Sequence, residues 1–272
     1  RTDCDLLSTL NSGRARDRFA EMLEIQTRQA GIIAREPALG LVKVHTGLRD
    51  FWAPETGDGM DALKLIPYLL AEHELMRESN PSLQIRPGDV VIDVGGHVGT
   101  YTGLALQMGA ARVVAMEINP LNLECLRRNF EKEIREGRVV ICPKGAWSSE
   151  TSMPFHLPRS NSGMGSLILR EQNTEQIKVP LVRIDTLVEE LGLPRVDFIK
   201  LDIEGAEREA LAGAKQTLGR FKPRLSIDAY HLPDDPVVLP RVILAANPRY
   251  VTTCGPCQLE GRHFRPHVLY YH

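Results

Sequence analysis

Long apolar runs, paired cysteines and a surplus of charge are what this 272-residue chain has little of. No apolar stretch approaches the ~18 residues of a membrane span, so no membrane span is expected in this chain. Five cysteines (Cys4, Cys125, Cys142, Cys254 and Cys257) are too few and too scattered for a disulfide framework. A net charge of -2 gives no footing to nucleic acid or an anionic membrane as the principal partner. Neither 47–60 nor 150–180, the segments expected to roof a pocket, shows a basic cluster or aromatic ladder that would name a substrate. Repeats and low-complexity segments are absent. No stretch reads as a secretory signal, and a reducing cytoplasm is the expected compartment. The chain opens on Arg1 rather than Met, which is compatible with an N-terminal segment removed ahead of it.

What the chain does have is concentrated in residues 89 to 101, DVVIDVGGHVGTY. Val90, Val91, Ile92 and Val94 form a short β-branched run, the pattern of a buried strand. Gly95, Gly96 and Gly99 follow, then Thr100 and Tyr101 enter a helical pattern. A glycine turn of this kind lets a ligand approach the backbone at the positive end of a helix. The dinucleotide fingerprint needs a glycine where Val94 stands, so that pattern fails. Asp93, Gly95 and Gly99 spell D-x-G-x-x-x-G instead. An acidic residue before the turn suits a ligand carrying an ammonium group, as at S-adenosylmethionine sites. The plainer alternative is a turn that only packs a helix on a strand.

Around this turn the pattern alternates strand and helix, which predicts a parallel α/β sheet. Strands are expected at 89–95, 112–118, 139–142, 196–203, 224–229, 250–254 and 268–271, seven in all. Helices are expected at 99–108, 120–134, 206–218 and 236–246. Residues 1–36 read as helix, with Phe19, Met22, Leu23 and Ile25 or Gln26 on its apolar face; 37–60 read as a short strand and a loop able to roof a pocket. A helix over 61–79 stops at Asn80-Pro81. Residues 1–80 are therefore taken as an N-terminal helical and loop cap, and 81–272 as the ligand-binding domain. Segments 153–157 and 177–182 fit an antiparallel flap, a second roof.

Ligands of open α/β sheets bind at the carboxyl ends of the strands. The second strand ends in Glu117, followed by Asn119; a carboxylate there accepts ribose hydroxyls, unless it is only a helix N-terminal charge. The third ends in Lys144, Gly145, Ala146 and Trp147, where an adenine edge would lie, with Trp147 equally at home in the core. The fourth ends in I-K-L-D-I-E-G-A-E, and strand alternation puts Lys200, Asp202 and Glu204 on one side. Three ionisable groups on a central strand are costly unless a site uses them. The fifth ends in Asp228, Tyr230 and His231. His231 suits a general base, although a lone histidine is often structural.

Four segments together resemble the FkbM family of S-adenosylmethionine-dependent methyltransferases: VIDVGGHVGTYT, MEINP, VRIDTL ahead of VDFIKLDIEGAE, and the Tyr230-His231 strand end. The resemblance covers about 85–272. It implies a class I methyltransferase fold, a doubly wound Rossmann-like seven-stranded sheet, with S-adenosylmethionine as cofactor. It also implies methyl transfer to a hydroxyl oxygen of a sugar or natural-product-like small molecule. The cofactor residues would be Asp93, Gly95, Gly96, His97, Gly99, Thr100, Tyr101, Glu117, Asn119, Gly145, Ala146 and Asp202. The catalytic candidates are His231, Asp202, Glu204 and Lys200, with Asp202 equally suited to the cofactor's ammonium group or a divalent cation. No resident metal is assigned. Family members usually carry Gly-Ala-Asn where this chain has Gly95-Gly96-His97, so an amide contact is replaced by imidazole or lost. The expected partner is a small hydroxylated acceptor, with no nucleic acid, and a homodimer is compatible. Two other readings stand beside this one: a methyltransferase-like module that binds S-adenosylmethionine without turnover, and a nicotinamide-dependent oxidoreductase.

Cys254-Gly-Pro-Cys257 with His263 and His267 spells C-x2-C-x5-H-x3-H. A hairpin between the last two strands, a zinc set and a redox pair all fit this spacing.

Overall fold

The computed structural model describes residues 4–55, 61–158, 163–169, 174–260 and 263–272, without the side chains of 4–14, 158, 257–260 and 263–265. The N-terminal part runs α1 (Cys4–Gln29), β1 (Gly31–Glu36), β2 (Leu41–His45), β3 (Phe51–Pro54) and α2 (Ala62–Ser79). The αβ core follows as β4 (Val90–Val94), α3 (Thr100–Gln107), β5 (Arg112–Met116), α4 (Pro120–Asn129), α5 (Glu131–Arg135) and β6 (Val139–Cys142). Next come β7 (Gly145–Ala146), β8 (Thr151–Pro158), β9 (Thr174–Val182) and α6 (Ile184–Glu190). The chain ends with β10 (Phe198–Leu201), α7 (Glu207–Ala212), α8 (Lys215–Phe221), β11 (Arg224–Asp228), α9 (Asp235–Ala246), β12 (Thr252–Cys254), β13 (Cys257–Glu260), β14 (His263–Pro266) and β15 (Val268–Tyr271).

All seven expected strands join one sheet in the order β12-β15-β11-β10-β4-β5-β6. The pairs from β11 through β6 are parallel, while β15 runs antiparallel to both β11 and β12. Strand order reverses between β4 and β10, where Lys200 pairs in register with Asp93. Strands β4 and β10 are buried at every position because helices cover both faces of the sheet. That is why they read as mostly apolar runs, interrupted only by Asp93 and Lys200, rather than as alternation.

Two expected helices are each broken. Phe130 separates α4 from α5, and Gly213-Ala214 separates α7 from α8. Helix α4 starts as its sequence dictates: Pro120 occupies the first turn, where its missing N–H is harmless, and Asn119 Oδ1 accepts the Leu121 N–H at 3.0 Å.

The N-terminal region holds more sheet than the sequence indicates. The helix stops at Gln29, and Gly31–Pro54 makes an antiparallel three-stranded sheet. Asn129 ties this sheet to the core: its amide donates to the carbonyls of Trp52 and Val98, and its oxygen accepts the Trp52 N–H at 2.7 Å. On α1 the Phe19 ring meets Tyr68 of α2 edge-on at 5.2 Å and Met22 is buried, but Ile25 is exposed. The flap forms as expected, with Met153 opposite Val179 and Phe155 opposite Ile177 across β8 and β9. No helix among the described residues is long and apolar enough to cross a membrane.

The segment between β12 and β15 is a hairpin of β13 and β14. Cys254 is held in a disulfide, which removes its thiolate from any zinc set. The side chains of Cys257 and His263 lie outside the described residues, and His267 Nε2 meets Glu72 Oε1 at 3.0 Å.

Candidate active site

A cavity of about 340 Å³ opens at the reversal point, above the carboxyl ends of β4, β5 and β10. This is where an open αβ sheet places its ligands, and the volume suits a small molecule. Of the expected residues, Gly95, Gly96, His97, Thr100, Tyr101, Glu117, Gly145, Ala146, Lys200, Asp202 and Glu204 all line it. Lys144 lines it too, whereas Trp147 packs against the flap's apolar cluster.

The turn after β4 is shaped by hard constraints. Gly95 has φ +84, and a Cβ there would sit 1.9 Å from the Asp202 carbonyl oxygen. Gly96 is different: a Cβ would meet protein atoms only at 3.4 Å and beyond. Packing does not demand glycine at 96, and its bare backbone faces the cavity. His97 takes φ +47, in the left-handed region that asparagine and histidine tolerate better than most side chains. Burial lowers the His97 pKa to about 4, with the Lys200 charge adding to the effect, so its ring is neutral at physiological pH.

Glu117 is the best-anchored carboxylate in the cavity wall. Its Oε1 accepts from the N–H groups of Ile118 (2.6 Å) and Asn119 (2.7 Å), and its Oε2 accepts from the His97 N–H at 2.8 Å. Asn122 approaches Oε2 at 3.5 Å. Burial raises its pKa above the ordinary value even against those backbone donors. A polar wall with a fixed carboxylate and an open glycine backbone fits a nucleoside with free hydroxyls.

Lys200 crosses the reversal point. Its Nζ donates to Asp202 Oδ2 at 3.2 Å and to the Gly95 carbonyl at 3.3 Å, and lies 3.9 Å from Asp93 Oδ1. Burial opposes its charge, but Asp202, Asp93 and Asp228 outweigh it and raise its pKa. A lysine held so is a fixed cation and no proton acceptor. Asp93 itself lies outside the cavity lining, accepting from the Thr102 hydroxyl at 2.6 Å. Gly99 and Asn119 are also outside it. A Cβ on Gly99 would strike the Phe130 ring at 2.2 Å, and Asn119 caps α4.

His231 stands behind the lining, with its side chain 2 % exposed. Nδ1 faces Glu207 Oε1 at 3.0 Å, while Nε2 lies 3.7 Å from Asp202 Oδ1 and 3.6 Å from Glu204 Oε2. Burial works against its charge, yet Glu207, Asp202 and Glu204 raise its pKa to about 10. It is an imidazolium at neutral pH here, and in that state it accepts no proton. Asp202 is likewise opposed by burial but held well below the usual carboxylate range by Lys200 and His231. Glu204 has φ +54, and its carbonyl accepts from the Ser166 hydroxyl at 2.7 Å. His97, Glu204 and Lys222 are the non-glycine residues with positive φ among those described, and two of the three line this cavity. Strained backbone gathers at functional sites.

Several wall residues fall outside the expected site residues. Helix α2 contributes Tyr68, Glu72 and His73, and the strand ends contribute Tyr230 and His267, whose rings stack at 4.3 Å. The 3.6-residue period of α2 shows an apolar face but not what faces it. Of the two expected roofs, the flap supplies Phe155, Met164 and Leu167. The described part of 47–55 supplies no lining residue, and 56–60 lie outside the described residues.

Comparison with known proteins agrees with this geometry. Residues 93–247 match the sequence profile of the methyltransferase FkbM domain. The 31-O-demethyl-FK506 methyltransferase FkbM of Streptomyces tacrolimicus is 27 % identical over 49 % of this chain and 62 % of its own length. The hexuronic acid methyltransferase AglP of Haloferax volcanii is 30 % identical over 48 % of this chain and 52 % of its own. The 2-O-methyltransferase NoeI of Sinorhizobium fredii is 27 % identical over 52 % and 63 %. The matched regions thus span less than two thirds of those relatives. The crystal structure of methyltransferase FkbM from Methylobacillus flagellatus shares the fold with a TM-score of 0.52 at 21 % identity, covering 80 % of this chain and 56 % of that one.

Proposed function

We propose, on the premise that this chain belongs to the FkbM methyltransferase family, that it transfers the methyl group of S-adenosylmethionine to a hydroxyl oxygen of a sugar or natural-product-like small molecule. The observation that carries the reading is one cavity at the strand reversal with an anchored Glu117 on one wall and the Lys200–Glu204 strand end on another. The relatives' names, which speak of O-methylation and of a hexuronic acid, support the acceptor class.

When bound, the cofactor supplies a methyl group already activated on a sulfonium. The chain's task is to align an acceptor oxygen with it and to receive a proton. Glu117 would accept the ribose hydroxyls, and the Gly95-Gly96 backbone and the Gly145-Ala146 edge, which line the cavity, would flank the nucleoside. Lys200 fixes the Gly95 carbonyl and the Asp202 carboxylate relative to each other across the two central strands. Asp202 keeps a negative charge at the wall and favours a cationic partner. Glu204, lining the cavity beside His231, takes up the hydroxyl proton. His231, behind the lining and paired with Glu207, is not the base in this reading.

The test is S-adenosylhomocysteine release on a panel of hydroxylated acceptors. Glu204→Gln should lower turnover by about 10²–10⁴-fold while S-adenosylmethionine affinity is kept. Full turnover by that variant, or release unaffected by any hydroxylated acceptor, refutes the reading.

A further inference from the structure

The side chains of Asp202, Glu204 and His231 each point one ligand atom at a common gap, all within 4.8 Å of one another. His231 Nε2 is buried and makes no hydrogen bond; its nearest acceptors, Asp202 Oδ1 and Glu204 Oε2, stand at 3.7 and 3.6 Å. Those separations are too long for hydrogen bonds. They fall between the roughly 3.0 Å that adjacent ligands and the roughly 4.2 Å that opposite ligands of a six-coordinate ion span at about 2.1 Å, so a small side-chain shift brings both carboxylates and the ring onto one ion. The other ring nitrogen faces the fully buried Glu207 at 3.0 Å, and Glu207 is itself oriented by the Ile203 N–H at 2.9 Å. A metal-bound histidine is held in this way, with its second nitrogen on a carboxylate. Glu204 is fixed in a left-handed backbone conformation and fastened through Ser166. Three carboxylates face the gap or its histidine, those of Asp202, Glu204 and Glu207, while the Lys200 ammonium holds the other oxygen of Asp202.

We propose that Asp202 Oδ1, Glu204 Oε2 and His231 Nε2 form a divalent cation site of the magnesium or manganese kind, the ion taking the place of the Nε2 proton that these carboxylates otherwise hold. One nitrogen and two oxygens from the protein leave neighbouring positions for water and for the acceptor. Two of the three ligands line the cavity, so the acceptor class narrows to molecules with two adjacent oxygens, such as a vicinal diol or an α-hydroxy acid. A hydroxyl on the ion loses its proton more readily. In the transfer its O–H bond breaks and the proton passes to Glu204 and on to water. The new C–O bond forms as the sulfonium C–S bond breaks, and that electron pair stays on sulfur. The acceptor's chemistry rests on the methyl-transfer reading; the ion's binding does not.

The test is a Mn²⁺ titration of chelator-stripped protein followed by electron paramagnetic resonance, with S-adenosylmethionine calorimetry on the same samples. One ion per chain with a Kd of about 10–100 µM is expected. Asp202→Asn and His231→Ala should abolish binding, Glu207→Gln should weaken it about 10–100-fold, and Glu72→Gln in the same cavity should leave it unchanged. The partly exposed Glu204→Gln, checked for folding by circular dichroism, guards against variants that fail to fold. Absence of Mn²⁺ binding, or binding indifferent to Glu204→Gln, overturns the site. S-adenosylmethionine bound without Mn²⁺ overturns the ion alone; Mn²⁺ bound without S-adenosylmethionine supports the ion and overturns the transfer reading.

Discussion

Replacing Gly95 with alanine tests whether the cavity floor is built by steric necessity. Two penalties apply. A non-glycine residue in left-handed backbone costs about 1–2 kcal/mol. Gly95 also has a backbone oxygen, that of Asp202, 1.9 Å from the new methyl carbon, and it must retreat toward the ~3.3 Å of a close carbon–oxygen contact. Overpacking of that kind adds about 1–3 kcal/mol. Gly137 is the matched control, since its φ is +70 and nothing lies within 4 Å of its added Cβ. Gly137→Ala should therefore cost about 1–2 kcal/mol, and Gly95→Ala about 2–5 kcal/mol. Urea unfolding of both variants gives the comparison, with cofactor titration as a second readout. Only the Gly95 variant should lose cofactor affinity, because retreat of the Asp202 carbonyl displaces the Lys200 anchor on that strand. Equal losses for the two variants would refute the steric argument.

Lys200→Met should destabilise the fold by about 3–5 kcal/mol, because it leaves Asp93 and Asp202 buried without their cation; a urea midpoint within error of the parent contradicts that balance. His73 is buried, and burial, with help from Lys200, lowers its pKa to about 3. Its folded value lies below the unfolded one, so its contribution is complete above pH 6.5 and is lost as pH falls toward 3. The slope due to this group approaches about 1.4 kcal/mol per pH unit. Unfolding free energy of His73→Gln against pH should be flatter by that amount, and parallel profiles would exclude the assignment.

The central sheet strands were legible because strands buried on both faces are rich in β-branched and other apolar residues, as at Val90–Val94, where Asp93 is the one polar position. Strand ends were legible for the same topological reason, but β10 stops at Leu201, so the turn after it, not alternation, brings Asp202 and Glu204 to the cavity beside Lys200. The breaks at Phe130 and Gly213 were not, since the apolar period runs on through both. Strand Gly31–Glu36 is half-exposed and carries little hydrophobic signal, so it merged with the helix before it. Asp93 and His231 show a further limit: sequence locates a strand's end but not which side chains the layer behind it will claim. Thr102 and Lys200 take Asp93, and Glu207 takes His231. The contributions of Tyr68, Glu72 and His73 depend on how α2 lies across the sheet, a tertiary fact with no local pattern.

The most direct measurement is calorimetric titration of the protein with S-adenosylmethionine, repeated on Glu117→Gln. The account predicts one site per chain in the parent. In the variant, an amide replaces the carboxylate facing the ribose and the His97 N–H, and affinity should fall about 10–100-fold, or 1.4–2.8 kcal/mol. No heat with the parent protein, or an unchanged Kd in the variant, would contradict it.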